Sequence, residues 1–206
     1  MALIAFAVMS GVLQIAGYIF YALKTRRPNP LSWLMWAYGT TLVFILELDY
    51  GASWYILLLP AVCALSSIII AVRCWKHRDL SGLDWSDWSA LGADVILTIG
   101  YVFAKYLENN EMLTKEGQET MTFAFIVLSN ATTFTTFWPT VRGIWSEPSP
   151  EHWWPWRTWT LAYTALAVAT ALQYGPFSVF MMYPVLNMVV HAAMAWAVRP
   201  SRHALA

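Results

Sequence analysis

Apolar residues run along this chain in seven long stretches, at roughly 5–23, 31–48, 53–72, 88–106, 119–138, 157–173 and 177–197. A helix needs about 20 mostly apolar residues to cross the hydrocarbon of a bilayer, and each stretch meets or approaches that length. The breaks between them are short and polar, as at 74–87 and 107–117. Tyr174-Gly175-Pro176 separates the sixth stretch from the seventh as a tight reversal. No interval is long enough for a soluble domain. The N-terminus is apolar, lacks a basic leader segment and continues into a long stretch, so it predicts a first spanning helix and not a cleaved signal. The pattern predicts an all-α membrane protein with seven transmembrane helices.

Composition agrees with that pattern. Of 206 residues, 59% are apolar and 12% charged, about half the charged share of roughly 25% in a soluble domain. The 13 tryptophans suit a chain that meets a membrane interface. Formal net charge is zero, which offers nothing to a nucleic acid. The positive charges are unevenly placed. Lys24, Arg26, Arg27, Arg73, Lys76, Arg78, Arg142, Arg157, Arg199 and Arg202 fall on one side of the predicted membrane, and only Lys105 and Lys115 on the other. By the positive-inside rule the N-terminus is expected outside and the C-terminus in the cytoplasm. That orientation requires an odd number of spans. A bacterial inner membrane or an equivalent one is the expected location. Cys63 and Cys74 are too far apart along one helix to bridge, so both are expected as packing thiols.

The chain also resembles itself. Pro28-Asn29-Pro30 recurs as Pro148-Ser149-Pro150, a shift of 120. Trp33 and Trp36 recur as Trp156 and Trp159, a shift of 123. Tyr50-Gly51 with Pro60 recurs as Tyr174-Gly175 with Pro184, a shift of 124. Matches in the same order at nearly constant spacing predict an internal repeat, although similar helix–turn–helix units could reuse similar turn residues. The predicted plan is two parallel three-helix bundles joined by a linker helix (3+1+3). Residues 1–78 form the first repeat, 79–117 the linker helix with its loops, and 118–206 the second repeat. In such a plan the binding site is expected near the midplane, between the halves.

Several side chains are candidates for that site. Trp33/Trp36 and Trp156/Trp159 each share a helix face, and two indoles from opposite halves could sandwich a flat ligand. Trp33 and Trp156, nearer the loops, read as interfacial belt, while Trp36 and Trp159 lie a turn deeper. Pro184, Asn187 and His191 form one stripe down helix 7, where polar groups are expected to face the bundle interior. Pro184 allows a bend, Asn187 suits substrate contact or helix association, and His191 suits packing or gating. The repeat-equivalent of Asn187 is Cys63, so the site is expected to be lopsided. Ser129, Asn130, Thr132, Thr133, Thr135 and Thr136 make helix 5 unusually polar, and Ser10, Gln14 and Tyr18 do the same for helix 1. Both faces read equally as cavity lining or helix association, with Asn130, Thr133 and Gln14 as candidate contacts. Asp94 is expected to bond a neighbouring helix, with proton coupling as the alternative. Glu47 and Asp49 are expected to be solvated near the outer mouth.

On these features the chain resembles the SWEET and PQ-loop superfamily, which includes the PnuC-type vitamin transporters. The shared features are the 3+1+3 plan, the outside N-terminus, a proline in each repeat (Pro60 and Pro184) and the intramembrane Asn187. The resemblance implies a central site formed by Asn187 and, more loosely, Trp159 and Trp36. The W-x-x-W of the PnuC proteins is matched by Trp156-Arg157-Thr158-Trp159. There is no Pro-Gln dipeptide, Pro139-Thr140 being the nearest place, and the helix 3 Asn of the sugar carriers appears as Cys63. The expected function is a facilitative, alternating-access carrier for a small ring-containing metabolite such as a sugar, nucleoside or vitamin. The alternative is a ligand-sensing or sorting receptor on the same scaffold. A retinal photoreceptor is excluded, because 177–197 contains no lysine. No paired carboxylates, metal-spaced cluster or nucleophile motif lies in the spans, so no enzyme activity, metal or cofactor is expected. The expected partners are the lipid bilayer, a small-molecule substrate and, as an option, further copies of the chain.

Overall fold

A computed structural model describes residues 1–25, 30–76, 85–146 and 151–199. Among them there is no strand. The helices are α1 (Ala2–Lys24), α2 (Pro30–Asp49), α3 (Trp54–Lys76), α4 (Trp85–Asn109), α5 (Lys115–Ala131), α6 (Thr133–Ser146), α7 (Trp153–Tyr174) and α8 (Met182–Ala197), the last preceded by a single 3₁₀ turn at Val179–Met181. Segments α5 and α6 are one span divided at Thr132, so the protein is an all-α integral membrane protein of seven helices. Five of these, namely α1 to α4 and the stretch Val179–Ala197, are long and apolar enough by themselves to cross a membrane. The fifth span falls short because it is divided. Helix α7 falls short because Trp, Tyr, Thr and Arg157 interrupt its apolar run. It is packed between α1 and α8, so less of its surface has to dissolve in lipid.

The division at Thr132 has a sequence cause. Hydroxyls fold back on the helix's own carbonyls: Ser129 Oγ on Ile126 O (3.1 Å), Thr132 Oγ1 on Ser129 O (2.9 Å) and Thr135 Oγ1 on Thr132 O (2.7 Å). Such back-bonding bends helices. Pro139, inside α6, also removes the N–H that would bond residue 135. Pro184 stands in the first turn of α8, where a proline's missing N–H has no helical partner anyway. Its repeat mate Pro60 lies inside α3.

The two helix groups are built alike. Helix α3 packs against both α1 and α2, and α8 packs against α7 and against α5/α6, so the third helix of each group lies between the other two. Besides a small contact of α3 with α7, the groups meet chiefly at two places: α1 against α7, and α2 against α5 and α6. These contacts exchange roles under the repeat, each joining the first helix of one group to the second of the other. Gly51 (φ 86°) and Gly175 (φ 84°) end corresponding helices in the same left-handed conformation, which glycine adopts without penalty. Helix α4 packs against α2, α5 and α6 and presents Ile96, Ile99, Val102 and Phe103 outward. Pro28, Asn29 and Pro148-Ser149-Pro150 lie outside the described residues, as do Arg26, Arg27, Arg78, Arg202 and the boundary at residue 78.

The α1–α7 contact is the closer of the two. A Cβ on Gly17 would stand 2.3 Å from Trp159 Nε1. Gly17→Ala therefore forces the indole to move and is expected to destabilise the protein by about 1–3 kcal/mol. Gly92→Ala, where an added Cβ meets nothing within 4 Å, is expected to be neutral or stabilising by up to ~1 kcal/mol. Thermal unfolding in detergent, followed for both variants beside wild type, checks this; equal losses in the two would contradict it.

Candidate functional site

A narrow cavity of about 30 Å³ lies between the two helix groups. Gln14 and Tyr18 reach it from α1, Trp36 from α2, Cys63 from α3, Thr133 and Phe137 from α6, Trp159 and Tyr163 from α7, and Tyr183, Asn187 and His191 from α8. Of the eight residues expected at a site, Gln14, Trp36, Cys63, Thr133, Trp159, Asn187 and His191 therefore stand in one wall. Asn130 does not. The cavity-facing stripe of the fifth span is Ser129, Thr132, Thr133 and Thr136, the spacing of one helix face, and Asn130 lies off it. Its Nδ2 donates to Ile126 O at 2.8 Å instead. Tyr163 and Tyr183 were not singled out in the sequence, yet each lies four residues from a candidate, Trp159 or Asn187, and extends the same face.

The cavity wall carries a chain of polar groups. Tyr18 Oη lies 3.0 Å from Cys63 Sγ and 2.8 Å from Ser67 Oγ. Gln14 Nε2 donates to the same sulfur at 3.5 Å, Tyr163 Oη lies 3.6 Å from it, and Tyr163 and Tyr183 hydroxyls are 3.3 Å apart. Cys63 Sγ is thus the hub of this chain. Asn187 Nδ2 donates to Tyr183 O (2.9 Å), and His191 Nδ1 lies 2.7 Å from Asn187 O. A carbonyl only accepts, so Nδ1 carries the proton and the neutral ring keeps Nε2 as an acceptor. Two further groups in the lining, Trp36 Nε1 and Gln14 Oε1, are buried without a protein partner. Buried polar atoms are normally bonded, and these two offer a ligand one donor and one acceptor. No charged side chain is among the lining residues.

Four tryptophans close one end of this cavity. Trp33 packs on Trp36 (4.6 Å between ring centroids), Trp156 on Trp159 (5.2 Å), Trp36 on Trp156 (5.6 Å) and Trp33 on Trp159 (6.3 Å), all edge to face. The expectation that Trp33 and Trp156 form an interfacial belt is corrected. They are 1% and 0% exposed, because α1 covers them through Tyr21, whose ring lies 4.7 Å from Trp33 and 6.4 Å from Trp156. The sandwich geometry is corrected too. Trp36 and Trp159 are 6.1 Å apart at 82°, with no parallel slot between them. The ring of His191 sits among Trp36, Phe137, Trp156, Trp159 and Tyr163, with centroids 4.9 to 6.1 Å away; it faces the cavity itself.

Contacts cross between the helix groups towards both ends of the bundle. At the basic end, Trp33 Nε1 donates to Tyr21 Oη (3.0 Å), and Tyr21 Oη donates to Glu151 Oε1 (2.8 Å), which links α2 and α1 to the residue ahead of α7. At the opposite end, Ser53 N donates to Tyr174 Oη (2.7 Å), and Phe180 packs on Tyr174 and Tyr50. Lys105 bridges Asp49 at 2.8 Å. Glu47, expected in solvent beside Asp49, is instead 1% exposed with Oε2 unpartnered. Two residues are some 200° of helical turn, so the end of α2 turns Glu47 inward when Asp49 turns to α4. Comparison with protein-family models, curated proteins and solved structures finds no match for the chain.

Burial pushes the Glu151 carboxyl up from 4.5 to about 7, against the lowering effect of hydrogen bonds from Tyr21 and Trp156. Between those two values the folded protein holds a proton that the unfolded chain has released. Stability therefore falls as pH rises through that window, with the full deficit above about 7. Glu151→Gln is expected to remove that slope, which is worth on the order of 3 kcal/mol. The variant should be the more stable protein on the alkaline side and differ little from wild type on the acidic side. Melting temperatures across the window decide it, and parallel curves for the two proteins would show the assignment to be wrong.

Proposed function

We propose that the chain is a facilitative carrier that moves a small, neutral, ring-containing metabolite across a membrane by alternating access. The observation that carries this reading is the position of the cavity. It lies between two similarly built helix groups, and contacts cross from one group to the other towards each end of the bundle. Rocking the groups about the cavity would break the Tyr174–Ser53 contact at one end or the Trp33–Tyr21–Glu151 chain at the other. Keeping one set while releasing the other is the requirement of alternating access. The basic end, with Lys24, Arg73 and Arg157, is then the cytoplasmic one.

The cavity wall narrows the substrate class. A lining without charged side chains favours an uncharged ligand, because an ion there would lack compensation. Indole and phenol faces suit the apolar face of a sugar, a nucleobase or a vitamin ring. Trp36 Nε1, Gln14 Oε1 and His191 Nε2 supply one donor and two acceptors for hydroxyl or amide groups. The resemblance to the SWEET and PQ-loop carriers points the same way, with Asn187 and Trp159 in the central site.

The test is uptake by the purified chain in liposomes, over a panel of labelled sugars, nucleosides and vitamins. Saturable uptake and counterflow are expected for at least one compound. Trp36→Ala, which removes a lining indole and its unpartnered Nε1, should lower its apparent affinity by the roughly 1–3 kcal/mol of one lost stacking contact. Asn187→Leu, which keeps the volume and removes the amide, should abolish most uptake while the protein still folds. Binding seen by thermal shift with no flux would assign the chain to a ligand-sensing receptor instead. Neither binding nor flux across the panel would end the carrier reading.

A further inference from the structure

Asp94 lies in the middle of the connecting helix α4, 1% exposed, and its Oδ2 has no hydrogen-bond partner. Its carboxyl is within hydrogen-bonding reach of the Thr132 hydroxyl, at the division between α5 and α6. That hydroxyl already bonds Ser129 O at 2.9 Å, and both Thr132 and Ser129 line the cavity. A threonine has one hydroxyl hydrogen, and here it faces two acceptors.

With Asp94 protonated, the acid O–H gives its hydrogen to Thr132 Oγ1, and Thr132 keeps its own on Ser129 O. The Thr132 hydroxyl and Ser129 O are then both satisfied, and the one oxygen left unpartnered, Asp94 Oδ2, is uncharged. When the acid loses its proton to water, the carboxylate needs the Thr132 hydrogen, and Ser129 O gives it up. A carboxylate with an unpartnered oxygen inside a membrane is costly, so the junction has to rearrange or admit water.

We propose that Asp94 is a proton-binding site whose occupancy sets the hydrogen bond at the α5–α6 junction and through it the shape of the cavity. The charged groups of the packed helices stand at their ends. On α4, Asp87 and Lys105 are seven and eleven residues away, about 10 and 16 Å along the axis. On α5, Lys115, Glu116 and Glu119 precede Thr132 by at least thirteen residues. Arg142 of α6 is held by Asp87, and Glu47 and Asp49 close the far end of α2. Tyr38 of α2 and Tyr101 and Tyr106 of α4 are the titratable phenols on these elements, and Glu108 stands at the end of α4, fourteen residues from Asp94. The proposal rests on the carrier reading for its purpose, which is coupling of a proton to transport, but the proton site is measurable without any substrate.

The full chain in lipid nanodiscs supplies two readouts. Infrared difference spectra against pH should show a protonated-carboxyl stretch that Asp94→Asn removes. In a Cys74→Ser background, alkylation of the cavity thiol Cys63 by N-ethylmaleimide should differ between wild type and Asp94→Asn by roughly fivefold or more at high pH. The two should converge at low pH, where the amide mimics the protonated acid. Thr132→Val should keep the infrared band and lose the pH step in alkylation, and Thr132→Ser, which restores a hydroxyl, should recover it. An unchanged band in Asp94→Asn, or superimposable alkylation profiles, overturns the proposal. A titrating Asp94 with a pH step but no flux for any compound would sink the carrier reading and leave the proton site standing. Flux with the same pH dependence in wild type and Asp94→Asn would do the reverse.

Discussion

Trp159 lies directly on the backbone of α1 at Gly17, and much of the interior is arranged around that contact. The absent Cβ lets the indole come close enough for Nε1 to donate to Gln14 O at 3.3 Å. This brings α7 against α1 and with it the two helix groups. It also presents Gln14, Tyr18 and Tyr21 of α1 to the cavity and to the tryptophan cluster as successive turns of one face. Without a hydrophobic driving force between helices in lipid, association depends on close packing and interhelical hydrogen bonds. This contact supplies both.

The cavity follows from the other, looser contact. Where α2 meets α5 and α6, small and hydroxylated residues such as Gly39, Thr40, Thr133 and Thr136 leave space that the indole fills on the opposite side. A near-twofold framework is thereby made unequal. Its W-x-x-W pairs meet in one cluster, yet in the sequence repeat Cys63 corresponds to Asn187 and Ser67 to His191. Symmetry in the scaffold sets where two groups can pivot, and asymmetry in the wall sets what can bind between them.

The polar side chains illustrate how much a helix phase decides. Ser129, Thr132, Thr133 and Thr136 share one face and reach the cavity, while Asn130, in the same polar run, turns its Nδ2 to its own helix and leaves Oδ1 buried without a partner. Glu47 and Asp49 are two residues apart, one buried and the other paired with Lys105. Inside a bilayer such groups have nowhere else to go, since lipid offers no hydrogen bonds. They turn to the protein interior or to one another, and which of these occurs depends on the neighbour supplied by another helix.

Hydropathy alone determined the first four spans and the seventh, because crossing a bilayer is a matter of length and transfer free energy that those segments meet on their own, whereas the fifth and sixth fall short and depend on packing. Periodicity alone placed Trp36, Trp159, Asn187 and His191 on inward faces, and spacing paired Gly51 with Gly175 before their shared backbone conformation was seen. Tertiary structure decided what depends on a partner: that Trp33 and Trp156 are covered by Tyr21 and not by lipid headgroups, that Trp36 and Trp159 meet edge to face, and that the fifth span divides at Thr132 beside Asp94. A residue's face can be read from its own helix. Its depth, its ring angle and its hydrogen-bond partner are set by helices distant in the chain, and so become definite only when those helices pack.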